Sequence, residues 1–257
     1  MVPTDARTID KAKVLMTMLG QVKTYTPEAP LVVLLGPGEH VISSQWKSTF
    51  SDSIHLNTID IPFNNITIQG AGLAATTVHG GLVVENKSGI QLKKFATRSH
   101  SYMGLYMKGE YASARAEDCS FNHCKYAGIF MIQGASLVAT RCQVAWNEKQ
   151  GVFAMNQGTS IVATDCSGHN NATEGLLMYD SAVAHLYGEK TKFHNNKNGL
   201  SASEDGTVQL HIAKEHNSSC DNSGSDRVVN DKLVGTYAGK IKDCSTCPHC
   251  VHRYPHL

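Results

Sequence analysis

Three carboxylates in the second half of the chain have residue types and a spacing that suit acid–base chemistry. Asp180 and Glu204 each lie five residues after a glycine, Gly175 and Gly199, and Asp205 follows Glu204 directly. The two glycines are 24 residues apart, and glycines recur along the chain at nearly this interval. If successive copies lie side by side as strands, their backbones are about 4.8 Å apart. Carboxylates held this closely can separate their pKa values and act as acid and as nucleophile or base.

The same three carboxylates also fit a simpler interpretation as turn residues in contact with solvent. The equivalent places in the preceding copies hold Gly109, Gln133 and Asn156, so no array of carboxylates runs along the chain. Catalysis and solvation at a turn are therefore both open. Convergence of three or more ionisable groups in one groove would favour catalysis.

A second chemical motif lies near the end of the chain. Cys244, Cys247 and Cys250 are each separated by two residues and are followed by His252. This spacing lets adjacent thiolates reach one ion, and a His could complete a four-ligand zinc site. The run also resembles a bacterial iron–sulfur pattern, although Tyr254 stands where the fourth Cys would be. We expect no required cofactor, with zinc at this tail as the candidate and a tail of incidental thiols as the alternative.

The elements that must position these groups follow from a long internal repeat. One column of apolar residues comprises Ile66, Ile90, Ala114, Leu137, Ile161, Leu186 and Leu210. A column of glycines has nearly the same steps and comprises Gly81, Gly104, Gly128, Gly151, Gly175 and Gly199. An apolar residue follows each glycine directly and again two residues later. A period of two within each copy indicates strands rather than helices.

A fixed period of this length indicates a solenoid in which each copy forms one turn. The segments that carry the pattern include 31–42, which begins Leu-Val-Val-Leu-Leu-Gly-Pro-Gly, and 134–142, Gly-Ala-Ser-Leu-Val-Ala-Thr-Arg-Cys. This pattern resembles the right-handed parallel β-helix of the pectin-lyase-like superfamily, and 134–142 also resembles the β-helix of F-box proteins. The resemblance implies an all-β fold, a single-stranded right-handed parallel β-helix.

The chain divides into three parts on this interpretation. Residues 1–30 form an N-terminal cap with a short helix to about Leu19, since an open first rung would recruit other strands. Residues 31–223 form the β-helix, and 224–257 form a Cys/His-rich tail. The cap helix could instead bind a partner. The excursion at 43–63, with Trp46 and Phe50, could pack on the coil or bind a ligand.

Two further columns are predicted to be structural. Cys119, Cys142 and Cys166 occupy one inward column, which indicates buried thiols more than a metal or redox site. Turns follow this column and carry an aromatic residue or His before Asn, at Phe121-Asn122, Trp146-Asn147, His169-Asn170, His194-Asn195 and His216-Asn217. Asn in such turns tolerates left-handed backbone angles, and stacked Asn side chains can bond one another. The alternative for the His residues is a metal or substrate site.

The strands after the repeat glycines carry apolar residues on the outward side as well. These residues are Tyr106, Phe130, Ile132, Phe153, Met155, Leu177 and Tyr179. A strand that is apolar on both faces is covered on both sides, and a patch of this size exceeds what a monomer usually exposes. The C-terminal tail, another copy of the chain, or a bound sugar or protein partner could cover it.

Composition narrows the choice of partners and location. The chain carries 23 basic and 22 acidic residues, a net charge of +1, which argues against a nucleic-acid partner. No apolar run reaches membrane-spanning length, and the start does not resemble a signal peptide. We therefore expect no membrane partner and lean towards an intracellular or particle-associated protein.

The resemblance implies carbohydrate chemistry, because pectin-lyase-like proteins are mostly polysaccharide lyases, hydrolases and epimerases. The motifs typical of polygalacturonases and alginate epimerases are absent from the sequence, as is an Asp cluster of the kind that holds calcium in pectate lyases. Fold alone does not determine activity. We therefore predict a non-catalytic scaffold that binds a glycan, a protein partner or its own copies. The alternative is a polysaccharide lyase or glycoside hydrolase.

Overall fold

The computed structural model describes residues 2–3, 9–49, 52–98, 102–212, 218–230 and 240–243. These residues form a right-handed parallel β-solenoid of about seven turns with one short helix. Three parallel sheets run along the solenoid, and each successive turn adds one strand to each sheet. The predicted fold is therefore confirmed.

Each sheet is built from short strands. Sheet 1 comprises Val2–Pro3, Leu31–Leu34, Ile66–Gln69, Ile90–Lys93, Ser113–Glu117, Ser136–Thr140, Ser160–Thr164, Val183–Tyr187, Thr207–His211 and Lys240–Asp243. Sheet 2 comprises Gly38–Val41, Thr76–His79, Ala96–Arg98, Ser120–Asn122, Gln143–Ala145, Ser167–His169, Lys192–His194 and Ser219–Cys220. Sheet 3 comprises Thr58–Asp60, Gly81–Glu85, Met103–Lys108, Ala127–Ile132, Val152–Met155, Glu174–Tyr179, Asn198–Ser203 and Ser225–Asn230. An antiparallel hairpin joins Gln45–Lys47 to Ile54–Leu56.

The register follows the predicted apolar column over most of its length. Leu137 pairs with Ala114 on one side and with Ile161 on the other. The predicted alignment is wrong by two residues for the last two members, Leu186 and Leu210. Ile161 pairs with Ala184 and not with Leu186. A slip of two keeps the same side chains facing inward, so the alternation of apolar residues cannot reveal it.

The helix Ile9–Val22 packs against the core, and within the predicted cap segment Val2–Pro3 adds a strand to sheet 1. The buried residues of the helix are Ile9, Ala12 and Met16, which lie in the main core cluster. Asp10 accepts hydrogen bonds from the backbone amides of Ser43 and Ser44, at 2.8 and 3.1 Å. The cap is therefore joined to the chain that leads into the hairpin. Within the described ranges, no helix has the length and apolar character needed to cross a bilayer.

The sheets extend beyond the predicted boundary at residue 223. Ser225–Asn230 pairs with Asn198–Ser203 in sheet 3, and Lys240–Asp243 pairs with Thr207–His211 in sheet 1. Both added strands carry apolar residues, such as Val228 and Ile241, that continue existing ladders. The repeat glycines no longer mark these strands, which is why the sequence pattern ended early.

The column of cysteines is buried, as predicted. Cys119, Cys142 and Cys166 are at most 6% exposed and are free thiols. The Cys142 thiol donates to the carbonyl oxygen of Ala116 at 3.4 Å. A hydrogen bond with Cys119, together with burial, raises the pKa of Cys142 to about 12. This thiol is therefore protonated at neutral pH and is not a nucleophile.

Candidate functional site

The predicted outer face lies on sheet 3, on the side away from the main core. Tyr106, Phe130, Phe153 and Leu177 are register neighbours on four successive strands. Within this ladder the rings of Phe130 and Phe153 stack, with centroids 5.1 Å apart. Tyr106 and Phe130, together with Ile132, are buried, at 9% exposure or less. The remaining members, Phe153, Met155, Leu177 and Tyr179, are half-exposed.

The hairpin covers one end of this outer face. The ring of Trp46 lies 5.1 Å from that of Tyr106, and the ring of His55 lies 5.3 Å from that of Tyr102. From the sequence, the excursion at 43–63 could either pack on the coil or bind a ligand. In the structure, its Trp46 packs on Tyr106 of sheet 3. Phe50 and most of the C-terminal tail lie outside the described residues. Binding by the half-exposed part of the face stays a prediction.

The three predicted carboxylates lie at the turn between sheets 3 and 1. Tyr179 pairs with Ser203, so Asp180 and Glu204 are on adjacent rungs as expected. Asp180 accepts a hydrogen bond from the Asn156 amide at 2.7 Å. Tyr179 donates to Glu204, and this bond raises the pKa of Tyr179.

The backbone at these carboxylates has positive φ angles of 47° at Asp180, 47° at Glu204 and 62° at Asp205. Such angles are those of a tight turn. Through their hydrogen bonds with Asn156 and Tyr179, Asp180 and Glu204 link neighbouring rungs. Their catalytic role stays a prediction.

The predicted zinc ligands, Cys244, Cys247, Cys250 and His252, lie outside the described residues. Among the residues that are described, no three His, Cys, Asp or Glu side chains come together as a metal site. Zinc at the tail therefore stays a prediction.

A buried ladder of asparagines runs along the turn between sheets 2 and 3. Its members, Asn147, Asn171, Asn196 and Asn222, bond in series. The amide nitrogen of each side chain lies 2.8 to 3.2 Å from the amide oxygen of the next. Each of these oxygens also accepts the backbone N–H one rung earlier, beginning with Cys124 bonded to Asn147 at 3.0 Å. Bonds between asparagine side chains therefore occur, but of the predicted turn asparagines only Asn147 takes part in this ladder.

The register of the predicted Asn turns is only partly right. Asn147 belongs to the buried ladder, whereas Asn170 and Asn195 precede its members and have φ angles of 55°. The same left-handed position holds Trp146, with a φ of 57°, one rung earlier. Asn accepts this conformation readily, but a bulky ring there is a genuine outlier.

An open groove of about 440 Å³ lies over the asparagine ladder. Its rim comprises Trp146, Asn170, Asn195, Lys197, Asp221 and Ser223. Trp146 is 56% exposed, whereas the other tryptophan, Trp46, is 8% exposed. Outside the rim, His169 lies edge-on to Trp146 with ring centroids 6.5 Å apart. The groove therefore combines one exposed aromatic face with amide, hydroxyl and charged groups that can donate and accept hydrogen bonds.

A separate histidine pair lies on sheet 1, away from the groove. The Nδ1 atom of His185 is 3.1 Å from the Nε2 atom of His211, and the rings are tilted by 20°. The Tyr187 ring stacks on His211 at 4.3 Å. An N–H···N bond needs one unprotonated nitrogen, so this contact opposes full protonation of both rings. Burial lowers the pKa of both, and the charge of His185 further lowers that of His211.

This pair makes stability depend on pH. Because both folded-state pKa values lie below the ordinary value near 6.5, the unfolded chain binds protons first on acidification. Stability is therefore retained above about pH 6.5 and lost as pH falls through the folded-state pKa values. We expect the melting temperature to drop between pH 7.5 and pH 5, and to drop less in His185→Asn. An equal drop in the variant would contradict a role for the pair.

Comparison with known proteins agrees with the architecture. Residues 52–218, more than half of the chain, match the family described as a right handed beta helix region. Among solved structures, a crystal structure of pectate lyase Pel9A is similar, with a TM-score of 0.44 and 14% sequence identity. The match covers 77% of this chain and 66% of that one, a likeness that says nothing about activity. No curated protein matches the sequence. The repeat, the three parallel sheets and the matched residues together place this chain in the right-handed β-helix family.

Proposed function

We propose that this protein is a non-catalytic recognition scaffold that binds a carbohydrate chain in the groove beside Trp146. The observation that carries the proposal is the exposed Trp146 ring at the rim of a groove of about 440 Å³. A sugar ring has an apolar C–H face and a rim of hydroxyl groups. Trp offers the matching apolar face, and the side chains of Asn170, Asn195 and Ser223 offer donors and acceptors for the hydroxyls.

The backbone at Trp146 supports a functional role. Equivalent positions in later rungs hold Asn170, Asn195 and Asp221, residue types that favour the left-handed region. Trp has no such preference, and a strained residue of this kind needs a reason outside the turn. The solenoid supplies rigidity, because the groove floor is the hydrogen-bonded asparagine ladder. A rigid floor lowers the ordering cost of binding.

Replacing Trp146 by Asn separates binding from folding. The variant removes the ring but places at the turn the residue type that Asn170 and Asn195 already provide there. We expect the wild-type chain to be retained on part of a panel of immobilised neutral and acidic polysaccharides. Trp146→Asn should bind about tenfold more weakly, with a melting temperature that is unchanged or higher.

Two outcomes would refute the proposal. Equal affinity in the variant would show that the carbohydrate binds elsewhere, for example on the half-exposed part of sheet 3. Failure of the wild-type chain to bind any polysaccharide would remove the proposed function altogether. A control variant, Leu177→Ser, changes the sheet 3 face and should leave retention by the groove unchanged.

Polysaccharide cleavage is the second candidate function. The observation that favours it is that the groove has ionisable groups on its rim, Lys197 and Asp221. His194 stands next to the rim residue Asn195. A base and an acid beside a carbohydrate chain are what an elimination or a hydrolysis needs. The same incubations, followed by measurement of new chain ends, distinguish cleavage from binding.

A further inference from the structure

Two imidazole rings form a stack beside the proposed carbohydrate groove. His169 and His194 are register neighbours on the outer face of sheet 2, and Cys220 follows them on the next rung. The ring centroids are 5.2 Å apart, and the planes are tilted by 20°. Each His directly precedes a rim residue, Asn170 or Asn195. A charge that develops on the stack therefore lies next to the groove.

Polar and charged groups surround the stack on each side. The Nε2 atom of His169 lies 2.6 Å from the amide nitrogen of Gln143, and its Nδ1 atom lies 3.0 Å from that of Asn170. Rotation of either amide by 180° presents an oxygen, so these partners can accept a hydrogen bond from a ring N–H as well. Lys192 and Asp221 are the charges that act on His194.

These neighbours explain why both rings favour the neutral form near pH 7. Burial lowers the pKa of His169, and the neighbouring His194 lowers it further. Burial and the Lys192 ammonium lower the pKa of His194, and Asp221 opposes this effect. Stacked rings also resist double protonation, because two like charges would lie about one rung apart. The stack therefore takes up its first proton below the ordinary His range.

We infer that the His169–His194 stack makes the groove a pH-dependent site, which binds negatively charged carbohydrate more tightly as the solution becomes acidic. This inference rests on the proposed function. In the neutral state, the charges on the groove rim are Lys197 and Asp221, which are opposite in sign. One proton on the stack adds a positive charge beside the rim. An uncharged chain gains nothing from that charge, whereas a chain of carboxylates does.

Two probes of different charge test the inference. We would measure affinity for alginate oligosaccharides, whose carboxylates stay ionised above pH 5, and for uncharged cello-oligosaccharides. Between pH 7.5 and pH 5.5, we expect alginate affinity to rise by about threefold, as one added charge at screened distances allows. Affinity for the uncharged probe should change little. The double variant His169→Gln/His194→Gln should show no rise for alginate.

Controls separate this inference from the proposed function. His185→Asn alters the other histidine pair, outside the groove, and should keep the full rise in alginate affinity. NMR titration of the imidazole signals should show that His169 and His194 gain protons below pH 6.5 and not together. A flat alginate profile, or the same rise in the double variant, overturns the pH-dependent site while Trp146-dependent binding stands. Absence of binding to both probes and to every polysaccharide of the panel, at both pH values, overturns both.

Discussion

Replacing Asn171 by Ala should destabilise this protein by about 3 kcal/mol or more, because it breaks the asparagine ladder at its middle. The Asn171 side chain is 3% exposed. It accepts from the Asn147 backbone N–H at 3.2 Å and from the Asn147 amide at 2.8 Å. It donates to the Val144 carbonyl at 3.2 Å and to the Asn196 amide oxygen at 2.9 Å.

The cost comes from the partners that the substitution leaves behind. The Asn147 N–H and the Val144 carbonyl would be buried without their bonds, at about 1–3 kcal/mol for each unsatisfied group. The missing side-chain volume adds a cavity. For a chain of this size, a loss of about 3 kcal/mol lowers the melting temperature by roughly 6–12 °C. Thermal unfolding monitored by circular dichroism measures this decrease in melting temperature.

Asn195 provides the matched control for Asn171. It lies in the same series of turns, is exposed, and has a φ of 55°, an angle that Gly adopts freely. Asn195→Gly should therefore change the melting temperature by no more than a degree or two. A similar loss in both variants would mean that stability depends on Asn at the turn in general and not on the buried ladder.

Replacing Gly151 by Ala should be about as destabilising, for a steric reason. A Cβ atom at Gly151 would lie 2.5 Å from the carbonyl oxygen of Gly175 and 2.8 Å from the Asn171 amide nitrogen. The first contact is with backbone in the next rung, which cannot move aside without disturbing strand pairing. Overpacking of this kind costs about 1–3 kcal/mol and sometimes more. Denaturant titration should show a lower midpoint.

Gly36 offers the comparison for Gly151. An added Cβ at Gly36 meets no atom within 4 Å. Gly36→Ala should therefore be neutral or stabilise by about 0.4–1 kcal/mol, because Ala reduces the freedom of the unfolded chain. If Gly151→Ala were equally harmless, the rungs would have to be able to separate locally, and the recurring glycines would need another explanation.

Much of the fold was predictable because the repeat encodes it twice. Apolar alternation identifies the inward side of each strand, and the glycine interval identifies the rung. The glycines recur where one rung approaches the next too closely for a side chain, as at Gly151. Alternation does not change when the register shifts by two residues. For this reason the sequence pattern aligns Leu186 with Ile161, whereas its partner in the structure is Ala163. The hairpin over sheet 3 does not repeat, so no periodic signal could orient Trp46 towards Tyr106.

The groove was harder to predict because its residues are ordered by turns rather than strands. The two-residue pattern aligns each Asn with the aromatic residue or His before it, and so groups Asn147 with Asn170. Counting back four residues from the following glycine identifies Asn147 before Gly151 and Asn171 before Gly175. This alignment also places Trp146 and Asn170 together. The groove itself depends on how far side chains project from three or four rungs, which residue spacing does not report.

The asparagine ladder and the glycine column also bear on how such a chain can grow. Each rung offers the next rung the same pattern of backbone donors and acceptors that the preceding rung offers to it. The rungs repeat at steps of 23 or 24 residues. Stability in such an array depends mainly on neighbouring repeats. Tandem duplication of one repeat within the middle of the gene would thus insert a complete turn with its bonds satisfied on both sides. The cap helix and the last strands would keep their own contacts, and the groove would lengthen.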